Sequence, residues 1–127
     1  MESQAKVALD TNMLLAIGQF RIDVFQEIEK LLPKAKILVP EQVLGELQEL
    51  QARSKKLEKQ ARIALEALGK SKAGKIKVEA GNADKALLKL AAGKFIIATN
   101  DRELRKKVKK IKGTCIILRK KKFLEME

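Results

Sequence analysis

KFIIATNDRELRKKVKKIKGTCIIL, Lys94 to Leu118, contains two apolar runs separated by a charged stretch. KFIIAT and TCIIL are nearly continuous in hydrophobic residues, as expected of strands buried on both faces of a parallel sheet. Between them, DRELRKKVKKI places Leu104, Val108 and Ile111 on one helical face and its charges on the other. Strand, crossover helix and strand in that order form a βαβ unit, which makes the chain an α/β protein.

The rest of the chain repeats the alternation. KVALD (Lys6–Asp10) predicts a first strand, DTNMLLAIGQF a brief helix, and IDVFQEIEKLL a helix with Val24, Phe25, Ile28, Leu31 and Leu32 on one face. KILVP predicts a second strand stopped by Pro40, a residue also suited to starting a helix. From Glu41 to Leu50 the pattern is helical, with Val43, Leu44, Leu47 and Leu50 inward. After the polar break RSKK a further helix runs through Leu57, Ala61, Ala64, Leu65 and Leu68 to end at Gly69. KIKVE predicts a third strand and ADKALLKLAAG a helix closed by Gly93. The expected architecture is one domain over residues 1–127, a parallel five-stranded sheet with helices on both faces, ending in a basic tail at 119–127.

Composition narrows the chemistry. Lysine and arginine number 28 against 16 acids, a net charge of +12, and the basic residues cluster, which favours a polyanionic partner over a surface made basic only for solubility. There is no histidine, which excludes imidazole catalysis and the usual zinc sites. With no Trp, no Tyr and four Phe, a stacking platform for single-stranded RNA is not expected. The lone Cys115, inside TCIIL, reads as a small buried hydrophobe and fits a reducing compartment. The start MESQAK has no signal-peptide character and no apolar run is long enough for a bilayer, so a cytoplasmic protein without membrane contact is expected.

In open parallel sheets, sites form beyond the C-terminal ends of the strands. The acids at those positions are Asp10 after the first strand, Glu46 in the helix after the second, Asp84 after the third and Asp101 after the fourth. Asp10, Asp84 and Asp101 each have an equal explanation as a helix cap or turn residue, with Asn82 an alternative cap beside Asp84 and Asn100 with Glu103 resembling a capping box. Glu46 shares the stripe of Val43, Leu47 and Leu50, so it is expected on the core side of its helix and in need of a cation. Crowded carboxylates bind protons or a cation, and hard oxygen ligands select Mg²⁺ or Mn²⁺. An acidic pocket within a strongly basic protein points to metal-assisted hydrolysis of a phosphodiester.

VALDTNMLL, VPEQVLGELQEL, GNADKALLKLA and FIIATNDRELRKKV, taken in order, resemble the motifs of PIN domains from end to end. The resemblance implies a Rossmann-like metal-dependent endoribonuclease with sheet order 3-2-1-4-5. It also implies an acidic site at Asp10, Glu46, Asp84 and Asp101, and polar support from Asn12 and Thr99. The ending is similar to the branch of small-subunit pre-rRNA cleavage nucleases and their archaeal relatives, and VapC-type toxins share the core. That branch often has two adjacent acids at the third motif, whereas Asp84 is followed here by Lys85. A non-catalytic RNA-binding ribosome-assembly factor is the alternative of another class. A phosphoacceptor signalling domain fits poorly, because LDTN lacks adjacent acids.

The expected RNA contacts are Arg102, Arg105, Lys106 and Lys109 along the helix after Asp101. RSKKLEK with Arg53, Lys55 and Lys56, and RKKK with Arg119, Lys120 and Lys121, extend the set. A solvated face is the competing explanation for each. Recognition through charge and RNA shape leaves sequence specificity to a protein partner or guide. The resemblance also implies a homodimer.

Overall fold

The computed structural model describes residues 4–127; Met1–Ser3, which bear on the expectation of no signal peptide, lie outside the described residues. Val7, Ala8 and Leu9 of β1 (Lys6–Leu9) and Ile97 and Ala98 of β4 (Ile96–Ala98) are fully buried, and these two strands pair in parallel at the middle of the sheet. β2 (Lys36–Pro40) pairs with β1 and β3 (Gly74–Ile76) with β2, while β5 (Cys115–Arg119) pairs with β4, all parallel. The order is β3-β2-β1-β4-β5-β6, so the expected 3-2-1-4-5 core is present and a sixth strand is added.

That sixth strand, β6 (Phe123–Met126), is antiparallel to β5 and makes the sheet mixed. In place of the expected basic tail, residues 119–127 therefore hold the turn and the returning strand of a hairpin with β5. Leu124 is buried, and its amide, on the outer edge of the sheet, donates to Glu27 Oε1 at 3.1 Å. Glu27 belongs to α2 (Val24–Leu31), which packs on β6. Capping an edge amide in this way removes one site for unwanted strand pairing.

The other helices are α1 (Thr11–Phe20), α3 (Glu41–Arg53), α4 (Glu58–Lys70), α5 (Ala83–Ala92) and α6 (Arg102–Lys110). α1, α3 and α4 pack on one another and α5 packs on α6, flanking the sheet. Among the described residues no helix is long and apolar enough to cross a membrane.

Local chemistry sets the element ends. Asn82 Oδ1 caps α5 by accepting from Lys85 N at 2.8 Å, and Gly93 closes it. Pro40 ends β2 and starts α3 directly. Gly69 does not end α4, which continues to Lys70 and stops where Ser71 Oγ donates to Leu68 O at 2.7 Å. The third strand is shorter than KIKVE, because the Val78 and Ala80 carbonyls accept from Gln42 Nε2, at 2.6 and 3.0 Å, in place of a ladder. Leu104 and Val108 are buried as expected, but Ile111 is 47% exposed: α6 ends at Lys110, and the chain turns before the helical period returns residue 111 to the core. At that turn Gly113 lies so close to α6 that an added Cβ would sit 2.7 Å from Val108 Cγ1.

Candidate active site

β1 to β5 are parallel, so their C-terminal ends share one edge, and Asp10 stands there as the N-cap of α1. Its backbone N–H donates to Ala98 O at 3.0 Å, extending the β1–β4 ladder by one residue and drawing the side chain inward. Asp10 is 5% exposed. Asp10 Oδ1 accepts from Thr11 N at 2.7 Å, and Oδ2 accepts from Thr99 Oγ1 at 2.6 Å and Asn12 Nδ2 at 3.2 Å.

Every one of these donors is neutral. Among the described residues Asp10 has no ion pair. Burial raises its pKa above the ordinary 3.8, and the negative charges of Asp84 and Glu46 raise it further, against the hydrogen bonds from Thr99 and Thr11, which lower it. A buried carboxylate with neutral donors and acidic neighbours is an electrostatic deficit that a cation relieves.

Glu46 departs from expectation. It is exposed, at the margin of the α3 stripe, so a burial penalty is not what singles it out. It is tied to the site by Thr11, whose Oγ1 donates to Glu46 Oε2 at 2.9 Å. Asp84 is half-buried in the first turn of α5, and since Asn82 is the cap, the Asp84 carboxylate is not consumed by capping. Asp101 does cap its helix: Oδ1 accepts from Glu103 N at 2.9 Å and Leu104 N at 3.1 Å, and Asn100 takes no part in the cap.

Thr99, fully buried, connects Asp101 to Asp10: its hydroxyl donates to Asp10 and accepts from Asp101 N at 3.1 Å. Asn12 Oδ1 accepts from Asn100 N at 3.1 Å, and Asn100 Oδ1 accepts from Leu118 N at 2.9 Å. Asn12 and Thr99, expected as polar support, both donate to Asp10 Oδ2. Thr11 and Asn100 are not among the site residues the sequence points to, Asn100 being expected only as a cap; their polar side chains beside Asp10 and Asp101 are the available signal.

Among the described residues no three acidic or cysteine side chains converge tightly enough to form a ready-made metal cage. Asp10, Glu46 and Asp84 are electrostatic neighbours, and Asp101 joins them through Thr99. An all-oxygen donor set around an uncompensated buried carboxylate fits a hard divalent cation.

Of the expected basic contacts, Arg102, Arg105, Lys106 and Lys109 line one groove with Arg119. Several are already engaged. Arg105 makes a two-pronged pair with Glu127, and Lys109 Nζ lies 3.4 Å from the same carboxylate. Lys106 Nζ lies 3.6 Å from Glu103, and Arg119 pairs with Glu125. Arg102 has no carboxylate partner among the described residues. Arg53, at the far end of α3, and Lys55 and Lys56, just beyond it, are exposed; Arg53 lies roughly 10 Å along the helix from Glu46.

A doubly wound α/β domain with acids at the C-terminal edge of its sheet and basic side chains along the helix that starts at Asp101 belongs to the class of small Rossmann-like domains. The chain is a member of the PIN family: the model described as "PIN like domain" matches residues 7–121. Ribonuclease VapC4 from Methanocaldococcus jannaschii is 32% identical over 126 residues, an alignment covering 95% of each chain. Among solved structures, the PIN domain endonuclease Utp24 superposes with a TM-score of 0.77 at 22% identity, over 96% of this chain and 90% of the other. A domain of a functionally unknown protein from M. jannaschii superposes with a TM-score of 0.61 at 19% identity, over 91% of each. At these identities the structural likenesses establish the fold.

Proposed function

We propose that the chain is a Mg²⁺- or Mn²⁺-dependent endoribonuclease that hydrolyses RNA phosphodiester bonds, with a precursor rRNA as substrate. The buried, cation-deficient Asp10 carboxylate carries this reading, supported by membership in the PIN family and by likeness to a ribonuclease. Asp10, Glu46, Asp84 and Asp101 would hold the cation. When bound, it lowers the pKa of a water molecule and offsets charge on phosphate oxygens.

The chain's own residues set the stage. Thr11, Asn12 and Thr99 orient the Asp10 oxygens, leaving Thr99 unable to donate its single proton elsewhere. Thr11 draws Glu46 toward the edge from the neighbouring helix. Arg102 at the start of α6 and Lys106 one turn further on attract the phosphate backbone, and binding weakens with salt. Lys85 follows Asp84 and faces solvent, adding a positive charge where a second acid would strengthen a second cation site.

A toxin role is favoured by one observation, the 32% identity with ribonuclease VapC4 across nearly the whole chain. Cleavage of end-labelled, structured rRNA fragments in Mn²⁺, Mg²⁺ or EDTA tests the enzyme. Discrete cutting that needs metal and is lost in Asp10→Asn supports it; equal cutting by the variant removes it. Tight binding without cutting by the wild type favours an assembly factor. Growth arrest on induced expression, absent for Asp10→Asn, separates a toxin from a processing enzyme.

A further inference from the structure

Among the described residues six other than glycine have positive φ, and all are basic: Arg21, Lys34, Lys94, Lys112, Lys120 and Lys121. Among the described residues no glycine takes that conformation. Four of the six have a shared explanation. Arg21, Lys34, Lys94 and Lys112 follow the C-terminal ends of α1, α2, α5 and α6, where a cation interacts favourably with the helix dipole.

Lys120 and Lys121 have no helix end to explain them. Arg119 pairs with Phe123, so Lys120, Lys121 and Lys122 connect β5 to β6; Lys120 and Lys121, with φ of 53° and 55°, are the central residues of a turn closed by Lys122 N donating to Arg119 O at 3.0 Å. Positive φ at both central positions makes this a mirror-image turn, a conformation that favours Asn and Gly because left-handed backbone is unfavourable for a residue with a long side chain. Strain of this kind concentrates where function retains it.

The position of the turn matches such a role. β5 is parallel to β4, so the turn projects from the same edge as Asp10 and Asp101. Asn100 Oδ1 holds Leu118 N at 2.9 Å at the foot of the turn, and Asn100 N is held in turn by Asn12, which contacts Asp10. Arg119, the first residue of the turn, lines the α6 groove. Lys121 Nζ lies 5.5 Å from the centre of the Phe20 ring, which directs it without neutralising it. Lys120, Lys121 and Lys122 are exposed and have no carboxylate partner among the described residues, in contrast to Arg105, Lys109 and Arg119.

We propose that the strained Lys120-Lys121 turn is a clamp on the RNA phosphate backbone beside the acidic edge, kept at the expense of stability. The proposal rests on the RNA-cleaving function above and adds a specific contact to it. The clamp places two unneutralised ammonium groups on a hairpin tied by hydrogen bonds to the acidic loop.

The test replaces the pair by the residues the turn prefers, Lys120→Asn with Lys121→Gly, and measures binding of a labelled single-stranded RNA across a salt series without divalent metal. The slope of log affinity against log salt is expected to shrink by about 0.7 for each phosphate contact removed, with affinity falling several-fold at low salt and no loss of melting temperature. Lys120→Gln alone, which leaves the backbone requirement of the turn as it is, is expected to lose about half as much slope. Lys120→Arg with Lys121→Arg is expected to keep the slope. An unchanged slope in the first two variants overturns the clamp while leaving cleavage through Asp10 untouched. A wild type that binds no RNA overturns the clamp and the RNA-cleaving function together.

Discussion

The Thr99 hydroxyl reaches across 89 positions of sequence to donate to Asp10 Oδ2 at 2.6 Å, the shortest hydrogen bond at the acidic edge. With the same oxygen it accepts from Asp101 N, so one buried side chain sets the relative placement of two acids from different strands.

Thr99→Val keeps the shape and deletes both interactions. Asp101 N and Asp10 Oδ2 each lose a partner, at a cost of about 1–3 kcal/mol in unfolding free energy. Since the Thr99 hydrogen bond lowers the Asp10 pKa, its loss moves the acidic limb of the cleavage–pH profile upward, and activity is expected to fall roughly 10- to 100-fold. Chemical denaturation and a pH–rate series check the two parts.

Asp10 itself is expected to lower stability when no cation is present. Burial, with the charges of Asp84 and Glu46, holds its folded pKa above 3.8, so over the interval between the unfolded and folded values the native state binds the proton and the unfolded chain does not. Stability therefore falls as pH rises through that interval, and the loss persists at neutral pH. In EDTA, Asp10→Asn is expected to melt higher than the wild type at pH 7, by about 1 kcal/mol equivalent, and to lack this part of the pH dependence. Thermal melts from pH 3 to 7 measure it.

Arg102 and Arg105 stand one helical turn apart and should separate in their effects. Arg105 is committed to Glu127, so Arg105→Ala is expected to cost about 1 kcal/mol of stability and to change RNA affinity little. Arg102 has no such partner, so Arg102→Ala is expected to leave stability within about 0.5 kcal/mol and to reduce the salt dependence of RNA binding. Denaturation and filter binding on the two variants give the comparison.

Cys115 is 2% exposed and its thiol is pushed up to about 11, chiefly by burial and then by the charge of Glu127. The thiolate needed for alkylation is therefore scarce in the native state. Iodoacetamide at pH 8 is expected to label the native protein at least about tenfold more slowly than the unfolded chain, as read by mass spectrometry.

Much of the fold is legible in the sequence because its central strands are apolar on both faces, and KFIIAT or TCIIL has no other place to go. β6 is not legible in the same way: Phe123–Met126 is only four residues long and follows four basic residues, so its strand character comes from pairing with β5 and from Glu27 capping Leu124. Helical spacing placed Ile111 inward, but periodicity does not report that the helix has already stopped. It likewise marked Glu46 as the buried acid, when the buried acid is Asp10. The pull on Asp10 comes from its amide joining the β1–β4 ladder, and the Thr11–Glu46 and Arg105–Glu127 contacts join residues distant in sequence. Such contacts are products of tertiary packing, and local pattern carries no trace of them.

The most direct measurement is calorimetric titration of the wild type and Asp10→Asn with Mn²⁺ at neutral pH, RNA absent. Saturable binding by the wild type, with loss of binding in the variant, is the expected result. Equal binding by both proteins, or none by either, would contradict the assignment of Asp10 as the centre of a cation site.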